Sequence, residues 1–263
     1  MLICTLVWFM IYDIYLVVVK HASIGFLQFV GEMLFLRSVN MSHVWYLPTI
    51  LGLYILLPFV ASALMNYDNK LFLPPMILFT VYLFGFGTAE TVYRIFHPGS
   101  ALSIQFSSGF SGGVYGLYIL YGYFINAGVF KRIKSLIMGT LSMLSFLAVV
   151  IIQVWSYQNG IAYNVWYNNL FILTASIGIF ELASRMIIIH GYTLIKLIAR
   201  CSFAVYLIHN IVIGITASCI RSAAIIMPVQ VFLLWSISTA VSIVTSIIIS
   251  KIPKVGKYIL YMK

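Results

Sequence analysis

Apolar residues fill this chain in long blocks, and short stretches between the blocks hold most of its charge. A helix that crosses a bilayer needs about 20 mostly apolar residues, and the pattern predicts spans at about 2–19, 44–65, 71–87, 113–130, 135–156, 169–190, 202–222 and 227–250. The blocks have helical character, and no alternating ten-residue segments of a membrane barrel occur. The expected fold is therefore all-α: a polytopic transmembrane helix bundle of about eight spans. An even count places both termini on one side.

Composition agrees with lipid as the main solvent. Of the 263 residues, 63% are hydrophobic and 8% charged, where a soluble domain carries about a quarter charged residues. The net charge of +10 fits cytoplasmic loops facing anionic lipid. No basic run with interleaved aromatics points to nucleic acid, so membrane lipids are the expected partner and nucleic acid is not. Connections after the even-numbered spans hold Lys70, Lys131, Arg132, Lys134, Lys196, Arg200, Lys251, Lys254, Lys257 and Lys263. Those after the odd-numbered spans hold Lys20, Arg37, Arg94 and Arg221. The asymmetry predicts cytoplasmic termini and outer loops at about 20–43, 88–112, 157–168 and 223–226.

Finer features follow. Cys4, Cys201 and Cys219 lie in or beside apolar spans without a CxxC pairing, which suggests neither a metal site nor a disulfide framework. The opening "MLICTLVWFM" lacks a basic lead and a small-residue cleavage site, so it is not a signal peptide; it reads as a start in mid-membrane. No repeat or composition shift divides the chain, and residues 1–263 are expected to form one domain. "LIKLIARCSF" suggests an interfacial stretch before the seventh span, and "NMS" at 40–42 fits a glycosylation sequon.

Five motifs bear on chemistry. "GFSGG" at 109–113 fits G-x-S-x-G, but a nucleophilic Ser111 needs a strand–turn–helix elbow, and a glycine-rich entry to a membrane helix accounts for it better. Glu181 and Arg185 stand at i and i+4, a spacing that favours a structural ion pair inside the bundle. Asp13 is the lone carboxylate of the first span. His43 opens "HVWYLPTILGLYILLPFV" beside Trp45 and Tyr46, which fit an interfacial aromatic belt. His209, in "CSFAVYLIHN", sits about 10 Å inside the expected start of the seventh span and shares a face with Ser202, Tyr206 and Asn210. Such a polar stripe faces the bundle interior or a wet cavity, where a neutral histidine acts as a base or simply bonds its neighbours.

"ARCSFAVYLIHNIVI" resembles the S-x-x-x-Y-L-x-H signature of the acyltransferase 3 family of polytopic O-acyltransferases. "HVWYLPTILGLYILLPFV", "GVYGLYILYGYFINAG", "NLFILTASIGIFEL" and "IPKVGKYIL" are similar to other segments of that family, in family order. The resemblance implies an integral membrane enzyme of about ten helices. It would transfer an acyl group, typically acetyl from acetyl-CoA, to a hydroxyl of a surface polysaccharide or lipid-linked glycan in the cell membrane. Acyl-CoA is then the donor, a glycan the acceptor, and no metal is expected. His209 and His43 match only the family's secondary positions and not its main catalytic one; they are the candidate catalytic residues here, with Trp45, Tyr46, Ser202 and Tyr206 as candidate substrate contacts. On the expected topology His209 lies toward the cytoplasmic half and His43 at the outer face, an arrangement compatible with an acyl relay at two depths.

One departure matters. The family's first helix carries an arginine and, about ten residues on, a histidine regarded as catalytic. None of Arg37, Arg94, Arg132, Arg185, Arg200 and Arg221 has a histidine in an R-x10-H arrangement. The sequence is expected to lack the family's two N-terminal helices, and an inactive remnant of such an enzyme is the second reading. A transporter of glycan intermediates is a third, though no inverted repeat or pair of Gly/Pro-broken spans supports it.

Overall fold

The computed structural model describes residues 2–37, 43–97, 99–100, 102, 113–161, 165–186, 192–221, 226–252, 256 and 260. Among these, every regular element is helical: α1 (Leu2–Lys20), α2 (Phe26–Met33), α3 (Tyr46–Asn66), α4 (Asn69–Thr80), a π-helical turn (Val81–Gly85), α5 (Phe86–Phe96), α6 (Gly113–Asn126), α7 (Ser135–Gln158), α8 (Leu170–Ser184), α9 (Tyr192–Arg221) and α10 (Met227–Ser250). Six described stretches are long and apolar enough to cross a membrane: Leu2–Lys20, Tyr46–Asn66, Asn69–Phe96, Ser135–Gln158, Ile195–Ala217 and Val229–Ser250. The expected blocks at about 113–130 and 169–190 hold the shorter helices α6 and α8. Ser111 of "GFSGG" and the 40–42 sequon lie outside the described residues.

The chain divides into two compact units, one of residues 1–51 and 190–263, the other of residues 52–189, with the boundary inside α3. In the first unit α1 turns one face inward, burying Cys4, Thr5, Trp8, Phe9, Tyr12, Asp13, Tyr15 and Leu16. Cys4, Trp8, Phe9 and Tyr12 pack with Val44, Leu47, Cys201, Ala204, Leu207, Ile208 and Val212. The opposite face of α1 presents Ile14 and Val18, 60% and 65% exposed. α10 carries an inverted pattern. Ser238, Ser242 and Ser246, spaced four apart, are buried, while Val241, Val244 and Ile248 face outward. Apolar outside and small polar residues inside is the order a lipid solvent requires, because apolar side chains gain nothing by leaving lipid whereas hydroxyls must find partners.

In the second unit α7 packs along α8 through small residues. A Cβ on Gly178 would come within 2.7 Å of Ser142 Cβ, and the Ser142 hydroxyl donates to the Ala175 carbonyl at 2.8 Å. Close approach then lets dispersion and the interhelical hydrogen bond hold the pair in lipid. α8 begins at Asn169, whose side chain accepts from the Phe171 amide at 2.9 Å, a local N-cap. α5 reaches this cap from the side, with the Thr88 hydroxyl accepting the Leu170 amide at 2.8 Å.

Two helix boundaries differ from the sequence expectation. α5 continues to Phe96, through residues expected in an outer loop, because Glu90 and Arg94 neutralise each other at i and i+4, 2.9 Å apart. α9 begins at Tyr192, so "LIKLIARCSF" is the continuous first part of the helix that carries His209 rather than a separate segment. His209 therefore lies about 20 Å along the apolar stretch from Ile195, not about 10 Å inside its start.

Candidate functional site

The first unit gathers the expected histidines in one place. His43 sits in the turn before α3, and His209 on α9. Their ring centroids are 5.2 Å apart in an edge-to-face arrangement. Two depths were expected for them. The correction follows from the longer α9, which carries His209 up to the level of His43. A relay between these two histidines at separate depths is therefore excluded.

Three elements position the pair. Tyr12 of α1 places its hydroxyl oxygen 2.7 Å from His43 Nε2, and the same hydroxyl donates to the buried carbonyl of Leu207. Asn210 of α9 sets its Nδ2 2.5 Å from His43 Nδ1. Tyr206, one turn earlier on α9, donates its hydroxyl to the His43 carbonyl and packs its ring 5.6 Å from the His43 ring. Tyr46, at the start of α3, stacks edge-on against Tyr206 at 5.4 Å. Burial, with His209 alongside, lowers the His43 pKa to about 4, so His43 is a neutral imidazole at ordinary pH.

His209 is held differently. Its Nδ1 lies 2.7 Å from the Tyr206 carbonyl and 3.2 Å from that of Val205. Carbonyls only accept, so Nδ1 carries the proton and Nε2 carries the lone pair. Nε2 has no hydrogen-bond partner among the described residues. A half-buried imidazole with its donor nitrogen fixed on backbone and its acceptor nitrogen open is chemically able to accept a proton or a hydrogen bond. Ser238 of α10 steadies the same turn by donating to the His209 carbonyl at 3.2 Å.

The remaining expected residues divide. Tyr206 and Tyr46 join the cluster. Trp45 is 37% exposed and meets Tyr46 edge-on at 6.1 Å. Ser202 is exposed, with its hydroxyl donating back to the Ala199 carbonyl at 2.8 Å, and it is not brought to the histidines. Asp13 has Glu32 of α2 as its neighbour rather than a base; it is 5% exposed and Glu32 fully buried. Glu32 also accepts from Gln28 Nε2 at 2.9 Å. Tyr12 was missed because in "FMIYDIY" it is one more aromatic of an apolar block. Its partners lie 31 and 195 positions away in the chain. Asn210 carried a usable signal in its place on the polar stripe.

The fold and this cluster define a multi-pass helical membrane protein with paired histidines between its first, third and ninth helices. Residues 1–251 match the acyltransferase 3 family, described as an acyltransferase domain, and the chain belongs to that family. No curated protein matches the chain, and no solved structure does.

Proposed function

We propose that this membrane acyltransferase moves an acyl group, typically acetyl, from acyl-CoA to a hydroxyl of a surface polysaccharide or lipid-linked glycan in the cell membrane. His209 Nε2 accepts the proton of the acceptor hydroxyl as its oxygen attacks the thioester carbonyl. The carbon–sulfur bond breaks, an ester forms, and the imidazolium returns its proton to the departing thiolate, so the base is regenerated. Tyr206, Tyr46 and Trp45 supply aromatic surface for the acceptor sugar. The observation that carries this reading is the state of His209: Nδ1–H fixed on the Tyr206 and Val205 carbonyls, Nε2 open.

The test uses membranes carrying the chain, labelled acetyl-CoA and a glycan fraction, and reads alkali-labile label on the glycan. Wild type transfers label, and His209→Ala loses transfer by about 10²- to 10⁴-fold while remaining in the membrane fraction. Transfer by His209→Ala at the wild-type rate would overturn the reading.

A further inference from the structure

The two rings of the pair are close enough to compete for one task, and their surroundings make them chemically unequal. His43 has hydrogen-bond partners at both nitrogens. Asn210 Nδ2 is a donor only, so His43 Nδ1, 2.5 Å away, must accept. Tyr12 has one hydroxyl proton and gives it to the Leu207 carbonyl, which leaves its oxygen to accept at 2.7 Å from His43 Nε2. The two contacts, made from α1 and α9, require the same tautomer: Nε2–H with Nδ1 accepting. An imidazolium would set N–H against N–H at Asn210. The other neutral tautomer would need the Asn210 amide reversed and the Tyr12 hydroxyl turned from the Leu207 carbonyl, giving up the hydrogen bond that ties α1 to α9.

We propose that Tyr12 is a positioning residue which, with Asn210, locks His43 as a neutral Nε2–H ring with no lone pair to offer, so that His209 Nε2 is the one imidazole acceptor of the pair. The proposal rests on the reading of His209 as the base. Without the lock the proton and the acyl group have two neighbouring imidazoles to choose between. With it, His43 acts as an uncharged wall that does not repel the imidazolium formed on His209 during transfer.

The test reads the rings directly. Diethyl pyrocarbonate acylates an imidazole nitrogen that has an open lone pair, so membranes carrying the full chain are treated with it near neutral pH, and labelling at each histidine is read by peptide mass spectrometry. In wild type His209 is labelled and His43 labelled at least about tenfold more slowly. Asn210→Leu, which frees Nδ1 without touching α1, brings His43 labelling to within about threefold of His209, and Tyr12→Phe, which leaves Asn210 alone to hold the ring, raises it by a smaller factor. Equal labelling of both histidines in wild type would overturn the lock, as would protection of His43 retained in both variants. Labelling needs no turnover, so an acyl-transfer assay on the same membranes separates failure of the lock from failure of the base assignment. In that assay Tyr12→Phe lowers kcat by about 10²-fold with little change in KM.

Discussion

Glu181 and Arg185 in the second unit, and His43 and His209 in the first, are each a pair of chemistry-bearing side chains held inside a helical unit. They are held to different ends. The Arg185 guanidinium reaches Glu181 Oε1 at 2.9 Å from Nε, the Ile133 carbonyl and Ser135 hydroxyl from Nη1, and the Phe130 carbonyl from Nη2. Its donors tie the end of α8 to the turn before α7, while Glu181 Oε2 stays fully buried with no hydrogen-bond partner among the described residues. In the histidine pair, backbone and side-chain groups occupy three of the four ring nitrogens, and the fourth has no partner among the described residues. A guanidinium whose hydrogen bonds go to its own helix end and the neighbouring turn marks a structural pair. The open acceptor of the histidine pair differs from Glu181 Oε2 in lying on a half-buried ring rather than a fully buried carboxylate, which is what the proposed base requires.

The contrast can be broken most forcefully at Arg185. Arg185→Leu strands the fully buried Glu181 carboxylate and should cost about 3–5 kcal/mol of stability. If the pair is structural, the Glu181→Leu/Arg185→Leu double variant recovers most of that loss, since apolar replacement of a whole buried pair is close to neutral. Thermal unfolding in detergent measures both. A double variant that is stable yet devoid of acyl transfer would instead make the pair functional. Next in size, Gly178→Leu drives a side chain into Ser142 and the Met138 carbonyl and should lower stability by about 1–3 kcal/mol, read by the same assay.

The pH dependence sharpens the other side of the comparison. The His43 pKa in the folded chain, about 4, lies below the ordinary value of 6.5. The unfolded chain therefore binds the proton first. Stability conferred by neutral His43 is complete above about pH 6.5 and is lost as pH falls toward 4. Thermal unfolding between those limits should show the decline, and His43→Gln should flatten it. The smallest effect belongs to Ser202. Because its exposed hydroxyl bonds, among the described residues, the Ala199 carbonyl of its own helix, Ser202→Ala should leave acyl transfer unchanged and stability within about 0.5 kcal/mol.

These contrasts were unevenly legible in the sequence. The helical bundle could be read from block length alone, since in lipid the apolar run is the structural signal. The Glu181–Arg185 pair could be read because its two members share one helix at i and i+4, where spacing fixes proximity. Glu90 and Arg94 have the same spacing but fell in a stretch expected to be loop. The histidine cluster was half visible. Tyr206, His209 and Asn210 fall on one face of α9, yet periodicity does not say what that face meets. Among the described residues His43 meets α9 over the turn from Tyr206 to Asn210, and Ser202, a turn earlier on the same face, stays outside. Tyr12 and the level of His209 depend on how α1 and α9 are placed around the turn before α3, which no local pattern encodes.

The central claim is that His209 Nε2 takes the proton of the acceptor hydroxyl, and the most direct measurement is chemical rescue of His209→Ala by free imidazole in the acyl-transfer assay. The account predicts that the variant is inactive alone and regains transfer in proportion to added imidazole, with no such gain for wild type. Full activity without imidazole, or an inactive variant that imidazole leaves inactive while the chain remains folded in the membrane, would contradict it.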